Sequence, residues 1–141
     1  MRWLLDTCVL SELPKQAPDK KLLSWIKQNA FEATVSTVSL GEIQYGLNLL
    51  EIGRHRNRLQ TWFDGIRMQY GSRLLVTNEA VWLSWARLKA EAEQLGRRQD
   101  DLDLLIAATA QVHGLTVVTR NTRHFRDTGI GLLNPWVSAD P

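Results

Sequence analysis

Apolar residues along the chain form short runs, separated by longer stretches in which they recur at helical spacing. The clearest runs are Trp3-Leu4-Leu5 near the start and Leu115-Thr116-Val117-Val118-Thr119 near the end. Short apolar runs bounded by polar residues are typical of buried strands in parallel sheets. Strands are therefore predicted over residues 3–5, 33–36, 73–76 and 115–119, with a weaker one over 130–133.

The stretches between these runs predict helices with recognisable starts and stops. Asp19 and Asn78 are suitable N-caps, and Gly96 and Gly114 stand where helices end. Ser39 and Glu42 have the spacing of a capping box. The predicted helices are one after residue 6, one from Asp19 with Leu22, Leu23, Trp25 and Ile26, one from Ser39 through Ile43, Leu47 and Leu50, a basic one over 54–70, one from Asn78 with Val81, Trp85, Leu88, Ala92 and Leu95 on a single stripe, and one from Asp101 to His113.

Strands and helices alternate along the whole chain, with no internal repeat, low-complexity tract or linker. This order predicts an α/β fold, a three-layer sandwich in which helices flank a mainly parallel sheet of four or five strands. The chain of 141 residues, 44% of them hydrophobic, fits one domain over residues 1–141 with a core of its own.

Composition restricts the environment more than the activity. The net charge of +2 permits a polyanionic partner without requiring one. The single cysteine, Cys8, excludes an intrachain disulfide and fits a reducing cytoplasm. The first apolar run stops at Asp6, and no stretch approaches the ~18 apolar residues of a membrane span. A cytoplasmic protein without membrane contact is expected.

Three acidic residues from remote parts of the chain are predicted to meet at one edge of the sheet. Asp6 directly follows the first strand, Glu42 lies in the first turn of the helix after the second, and Asp103 lies in the first turn of the helix before the strand ending at Thr119. Ligands of open parallel sheets bind beyond the carboxyl ends of the strands. The acids therefore become candidates for one site.

Each acid also has a purely structural interpretation. Asp6 can cap the helix that follows it, and Glu42 can serve the capping box. Asp100, Asp101 and Asp103 can complement the dipole of their helix, which we accept for the first two. Asp103 differs because Ala107 and Ala110 continue its stripe, so its carboxylate faces an apolar side and needs a partner.

Carboxylates held close together repel one another and raise their own pKa values unless a cation neutralises them. Mg²⁺ takes oxygen ligands, keeps several waters and often combines one or two carboxylates with substrate phosphates. The chain has no cysteine and histidine set with zinc spacing. The acids therefore favour magnesium and a water activated by it for attack on a phosphodiester.

Four segments in series give the chain a family resemblance. Leu-Leu-Asp-Thr-Cys-Val-Leu-Ser-Glu at 4–12, Ser-Leu-Gly-Glu-Ile-Gln-Tyr-Gly at 39–46, Asp-Leu-Leu-Ile-Ala-Ala-Thr-Ala at 103–110 and Gly-Leu-Thr-Val-Val-Thr-Arg-Asn at 114–121 resemble PIN-domain proteins. More narrowly, the chain resembles VapC-type toxins of bacterial toxin–antitoxin pairs. Asn134-Pro135-Trp136 is similar to the FitB-like branch.

The resemblance implies a single PIN-like ribonuclease domain: a metal-dependent endoribonuclease acting on RNA with Mg²⁺, or Mn²⁺ in its place. Asp6, Glu42 and Asp103 match the family's metal-binding and catalytic positions. Thr7, Thr119, Arg120 and Asn121 are implied as supporting or substrate-contacting residues. Some family members have a fourth acid where this chain has Asn121, so one well-held magnesium is expected. The likeness also implies a homodimer that is silenced by a DNA-binding antitoxin.

Basic residues offer further contacts for an RNA backbone. Arg54, His55, Arg56 and Arg58, together with Arg97 and Arg98, either attract phosphates or form solvated surface. Arg120 and Arg123 are closer to the predicted metal edge and are the better candidates for phosphate contact.

Two other functions fit parts of the pattern. Asp6 could act as nucleophile or phosphoacceptor in a phosphoryl-transfer enzyme. Haloacid-dehalogenase-like enzymes, however, have a second aspartate where Cys8 stands, and response receivers have a lysine where Arg120 stands. The third hypothesis is a non-catalytic module that binds RNA or a protein partner.

Overall fold

A sheet of four short parallel strands forms the centre of the computed structural model, which describes residues 1–137. The strands are β1 (Trp3–Leu5), β2 (Ala33–Thr34), β3 (Thr116–Val118) and β4 (Leu132–Leu133). They lie in the order β2-β1-β3-β4, with Leu4 of β1 paired to Thr34 on one side and to Val117 on the other. The first strand of the chain is therefore central.

Six α-helices accompany the sheet within the described residues. They are α1 (Thr7–Glu12), α2 (Lys20–Asn29), α3 (Thr37–Leu49), α4 (Arg54–Tyr70), α5 (Glu79–Gln94) and α6 (Asp101–His113). Short 3₁₀ turns lie at Ala30–Glu32, Gly71–Arg73 and Thr122–Phe125. Across residues 1–137, none of the helices combines the length and the apolar composition that a bilayer crossing needs.

The alternation of side chains along β1 divides the core into two parts. Trp3 and Leu5 pack on one face of the sheet with α1 to α4, in a cluster that contains Leu22 and Phe63. Leu4 packs on the other face with α5 and α6. Helices thus cover both faces of the sheet, and the predicted three-layer α/β sandwich is confirmed.

Local signals in the sequence set most helix boundaries correctly. Asp19 and Asn78 cap α2 and α5, and each side chain accepts a hydrogen bond from a backbone N–H three residues on. Helices α4 and α6 cover the predicted residues. Gly114 ends α6 with a φ of 65°, in the left-handed region that glycine adopts without steric cost.

The strand predicted over residues 73–76 is wrong. Only Leu75 pairs there, through a single parallel bridge to Ser36, and the chain before it forms the 3₁₀ turn Gly71–Arg73. The reason lies in the neighbouring segment: α3 begins at Thr37, so the chain beside Leu75 leaves the extended conformation at once and offers no further partners. The sheet consequently has four strands rather than five.

The capping box predicted at Ser39 and Glu42 is also wrong. Helix α3 is capped by Ser36, whose hydroxyl accepts a hydrogen bond from the Ser39 N–H, so α3 starts three residues earlier than predicted. Glu42 therefore lies in the second turn and is free of any capping role. Similarly, Leu95 does not share the buried stripe of α5, because the helix ends at Gln94 and the side chain is 67% exposed.

The cap of α5 gives a direct test of this helix boundary. Replacing Asn78 by Ala should lower the free energy of unfolding by about 1 kcal/mol, because the Val81 N–H loses its acceptor. Urea denaturation monitored by circular dichroism measures the change. Asn78→Asp is the matched control, since aspartate caps equally well. Equal stability of the Ala and Asp variants would contradict this boundary.

Candidate active site

A cleft of about 1200 Å³ opens at the carboxyl ends of β1 and β3, between the start of α6 and the 3₁₀ turn Thr122–Phe125. Asp6, Glu42 and Asp103, the three acids that the sequence singled out, all line it. Its remaining lining residues are Thr7, Cys8, Ser11, Arg97, Arg98, Gln99, Asp100, Asn121, Arg123, His124, Arg126 and Asp127. Carboxylates from three remote segments therefore share one cleft.

Asp6 is held rigidly at the end of the central strand. It is 5% exposed and is the N-cap of α1. Its Oδ1 accepts a hydrogen bond from the Thr7 N–H at 2.8 Å, and its Oδ2 accepts one from the buried Thr119 hydroxyl at 2.7 Å. The structural interpretation of Asp6 as a cap is thus correct, and the same conformation places its carboxylate in the wall of the cleft.

Glu42 reaches the cleft from the second turn of α3. Its Oε1 accepts a hydrogen bond from the Thr7 hydroxyl at 2.8 Å, and that hydroxyl also lies 2.9 Å from Ser39 Oγ. Burial raises the pKa of Glu42, the hydrogen bond from Thr7 lowers it, and the negative charge of Asp6 raises it further. Thr7 thus connects the segment after β1 to the acid on α3.

Asp103 lies in the first turn of α6, which Asp100 caps by accepting hydrogen bonds from the Leu102 and Asp103 N–H groups. Its side chain is 19% exposed, and Oδ2 lies 3.3 Å from His124 Nδ1. Burial, followed by the negative charges of Asp6 and Asp100, raises the pKa of Asp103 from 3.8 to about 6, although His124 acts in the opposite direction.

The electrostatic balance of the cleft floor is negative. Within residues 1–137, neither lysine nor arginine forms an ion pair with Asp6, Glu42 or Asp103. The same residues contain no group of three or more histidine, cysteine, aspartate or glutamate side chains that could hold a metal ion by itself. The charge of Asp6 contributes to the raised pKa values of both Glu42 and Asp103, so the acids interact electrostatically across the cleft.

Residues 119–121 follow β3 at the same edge of the sheet where Asp6 follows β1. Asn121 lines the cleft, and its N–H donates a hydrogen bond to Thr119 Oγ1 at 3.0 Å. Arg120 is exposed outside the lining, with its guanidinium 5.7 Å from the Trp136 ring centroid. The role predicted for Arg120 in phosphate contact stays a prediction.

Cys8 packs beside the first acid. Its Sγ lies 3.7 Å from Asp6 Oδ2 and accepts a hydrogen bond from the Arg120 N–H at 3.4 Å. Burial, followed by the charge of Asp6, raises the pKa of the thiol, so the neutral form is favoured. These contacts make Cys8 a packing residue beside Asp6 rather than a nucleophile.

Basic side chains form a rim above the acidic floor. Arg97 and Arg98 come from the loop between α5 and α6, and Arg123 and Arg126 from the 3₁₀ turn and the residue after it. Arg97 forms an ion pair with Asp127, whereas the other three form none with the described residues. Of the basic residues that the sequence offered, Arg97, Arg98 and Arg123 line the cleft, and residues 54–58 on α4 do not.

Sequence reasoning missed several residues of this cleft. Asp100 was assigned only to a helix dipole, and His124, Arg126 and Asp127 were given no function, yet all four line the cleft. The three-residue spacing of Asp100 and Asp103 places both at one helix start and was an available signal. The contact of His124 with Asp103 joins two elements and has no counterpart in local sequence.

Known proteins of similar sequence support a specific family. The PIN domain profile matches residues 3–131. The chain is 35% identical over 138 residues to VapC ribonuclease Y4jK of Sinorhizobium fredii, covering 96% of this chain and 99% of the relative. It is 32% identical over 135 residues to toxin FitB of Neisseria gonorrhoeae, covering 94% and 97%.

Solved structures agree in fold over nearly the entire chain. The structure of FitAB bound to the IR36 DNA fragment matches with a TM-score of 0.90 and 30% identity, covering 98% of each chain. FitAcB from Neisseria gonorrhoeae matches with a TM-score of 0.88 and 32% identity, covering 95% and 98%. From its sequence motifs, four-stranded parallel sheet, relatives and structural neighbours, the chain belongs to the PIN-domain family.

Proposed function

We propose that this protein is a magnesium-dependent endoribonuclease and the toxin of a toxin–antitoxin pair. One observation carries the proposal: Asp6, Glu42 and Asp103 line a single cleft without a lysine or arginine partner among the described residues. Relatives covering nearly the whole chain include a VapC ribonuclease and a FitB toxin, which supports RNA as the substrate.

The donor chemistry of the cleft fits magnesium. All three acids offer oxygen atoms, which this ion prefers, and the raised pKa of Asp103 reflects burial and then neighbouring negative charge, which a cation would relieve. Within residues 1–137 no group of three or more such side chains is spaced to hold an ion by itself, so the ion would keep several waters and share substrate phosphate oxygens. Manganese, with similar ligand preferences, is the expected substitute.

Asp6 and Asp103 would be the principal ligands, with Glu42 holding the ion or one of its waters. When bound, the ion supplies Lewis acidity that activates a water for attack on a phosphodiester and screens charge on the leaving oxygen. Thr7 and Thr119 orient the carboxylates of Glu42 and Asp6 through hydrogen bonds of 2.8 and 2.7 Å. Asn121 brings no negative charge to this edge, so a second ion would depend on RNA phosphates.

The basic rim provides contacts for the RNA backbone. Arg98, Arg123 and Arg126 are exposed and make no ion pair within residues 1–137, so their charges are available to phosphates. Arg97 forms an ion pair with Asp127, and it therefore links the loop between α5 and α6 to the loop after the 3₁₀ turn Thr122–Phe125. Single-stranded or loop RNA, whose backbone can bend into the cleft, is the proposed substrate.

Regulation is proposed from structures of related proteins. FitAB has been solved bound to a DNA fragment. By analogy, this chain would pair with a DNA-binding antitoxin that covers the acidic cleft, and the toxin would form a homodimer. Action on cellular RNA would place the pair in the cytoplasm.

The two other functions suggested by the sequence receive less support. Both oxygens of Asp6 accept hydrogen bonds, one from a backbone amide and one from Thr119, and this weakens the case for Asp6 as a phosphoryl acceptor. A non-catalytic binding module gives no reason for the raised pKa of Asp103 inside a cleft.

Replacing Asp103 by Asn should reduce RNA cleavage roughly 100-fold or more, because losing a metal ligand removes about 3 kcal/mol of transition-state stabilisation. Cleavage of a mixed set of labelled RNAs in Mg²⁺ and in EDTA is the measurement. Asp64→Asn, on the exposed face of α4, is the control and should keep full activity. Equal cleavage by the wild type in EDTA and in Mg²⁺ would refute metal dependence.

The same substitution should stabilise the metal-free protein. Because the folded-state pKa of Asp103 is raised from 3.8 to about 6, the folded state binds more protons in this range and wild-type stability falls as the pH rises through it. Asp103→Asn removes this cost and should raise the free energy of unfolding by about 1–2 kcal/mol at neutral pH.

Urea denaturation in EDTA from pH 4 to 8 measures this effect. The advantage of Asp103→Asn should be smallest near pH 4, where Asp103 of the folded wild type is protonated and its unfolded counterpart is only about half ionised, and should reach its full size above pH 6. An advantage that did not change with pH would show that it has another origin than the charge of Asp103.

Removing rim charges should weaken RNA binding without altering the chemical step. Arg98→Ala and Arg126→Ala should each raise KM and reduce the slope of log affinity against log salt by roughly 0.7, the value for one phosphate contact on a single strand. Kinetics at several KCl concentrations measure both effects. Lys27→Ala, on α2 outside the cleft, is the charge-matched control. Unchanged salt slopes in both rim variants would exclude these contacts.

A further inference from the structure

The three acids of the cleft differ in how the protein holds them. Asp6 is fixed by a backbone N–H and the Thr119 hydroxyl, and Glu42 by the Thr7 hydroxyl. None of these donors carries a charge or rotates freely into solvent. Asp103 has a different partner: within residues 1–137, the only side chain in polar contact with its carboxylate is His124, at 3.3 Å from Oδ2 to Nδ1.

The backbone around His124 is firmly anchored. It belongs to the 3₁₀ turn Thr122–Phe125, and its N–H donates a hydrogen bond to the Asn121 carbonyl at 3.0 Å. The next residue, Phe125, is fully buried in the core cluster that includes Leu104 and Ala107 of α6. The turn is thus packed against the helix that carries Asp103, and the spacing between the two side chains is set by the core.

The imidazole itself stands at the edge of the cleft. Its side chain is 54% exposed. Arg123, within the turn, and Arg126, just after it, form no ion pairs within residues 1–137. Those arginines are free to meet phosphates, whereas His124 Nδ1 lies 3.3 Å from the carboxylate of Asp103. A side chain devoted to RNA contact would have no need of this carboxylate.

We infer that His124 is a positioning residue that fixes the carboxylate of Asp103 for the metal ion by binding Oδ2, which leaves Oδ1 available as the ligand. The inference rests on the proposed function. Residues that hydrogen-bond to metal ligands set the orientation of those ligands, and their loss commonly weakens metal binding 10–100-fold. A neutral imidazole with its proton on Nδ1 suffices for this contact.

Tertiary packing, rather than closeness in the sequence, places the His124 side chain beside Asp103. In Asp6 and Glu42 the corresponding task falls to threonine hydroxyls. Each of the three acids would then have a side-chain donor and present its remaining lone pairs to the ion. On this basis His124 acts through Asp103 and touches neither RNA nor metal.

The experiment compares His124→Ala with His124→Asn and His124→Gln. Asparagine places its amide nitrogen close to the position of Nδ1, whereas glutamine places it near Nε2, farther from Asp103. Mg²⁺ affinity is measured without RNA, from the rise in melting temperature and by calorimetry. His113→Ala, at the far end of α6, is the control for loss of a histidine.

Mg²⁺ affinity should fall about tenfold in His124→Ala and His124→Gln, recover most of the way in His124→Asn, and stay at the wild-type value in His113→Ala. In RNA cleavage, the Mg²⁺ concentration for half-maximal rate should shift in the same order, while KM for RNA at saturating Mg²⁺ stays constant. Circular dichroism checks the fold, and if His124→Ala unfolds, the Asn and Gln pair decides.

The outcomes separate this inference from the proposed function. Wild-type protein that neither binds Mg²⁺ nor needs it for cleavage would defeat the proposed function. Wild-type binding with unchanged affinity in all three His124 variants would overturn only the role of His124. A raised KM for RNA with unchanged Mg²⁺ affinity would make His124 a substrate contact and likewise overturn the inference.

Discussion

Repulsion between the carboxylates of Asp6, Glu42 and Asp103 is the constraint around which this fold is organised. The three side chains come from the end of the central strand, the second turn of α3 and the first turn of α6. Burial and mutual charge raise the pKa values of Glu42 and Asp103. A domain that served stability alone would separate these groups or pair them with arginine, and this one does neither.

The rest of the molecule supplies the rigidity that keeps such groups together. Leu4 and Val117 are fully buried in adjacent central strands, so the residues that follow those strands, Asp6 and Thr119, have little freedom to move apart. Helices α5 and α6 pack on one face of the sheet and the other helices on the opposite face. The free energy of core packing thus offsets the unfavourable electrostatics at one edge.

Uncharged hydrogen-bond donors complete the arrangement. The hydroxyls of Thr7 and Thr119 contact Glu42 and Asp6, and they orient these carboxylates without cancelling their charge. Arginine side chains remain on the rim, where Arg97 is linked to Asp127 and its neighbours are unpaired within the described residues. Negative charge at the floor and positive charge at the rim suit a cation and a phosphate backbone in the same cleft.

The sequence by itself determined the architecture and the three acids. Alternating apolar runs and helical stripes, with caps at Asp19 and Asn78, are local signals, and local signals suffice because strand and helix patterns depend on neighbours in the chain. The position of Asp6 directly after a buried strand is also visible in the local sequence, and it indicated a ligand site at the carboxyl end of the sheet. The family motifs added the expected order of the site segments along the chain and the class of activity, but they did not predict which side chains touch.

Tertiary structure decided what depends on partners distant in the chain. The strand predicted at 73–76 does not form because α3 begins at Thr37, so the segment has no further extended partner to pair with. Glu42 has no capping role because Ser36 is the N-cap of α3. The contact between His124 and Asp103 exists only because Phe125 packs into the core beside α6. The sequence pattern reports the local conformational preference of each residue. These three outcomes depend instead on which distant segments pack against one another in the folded chain.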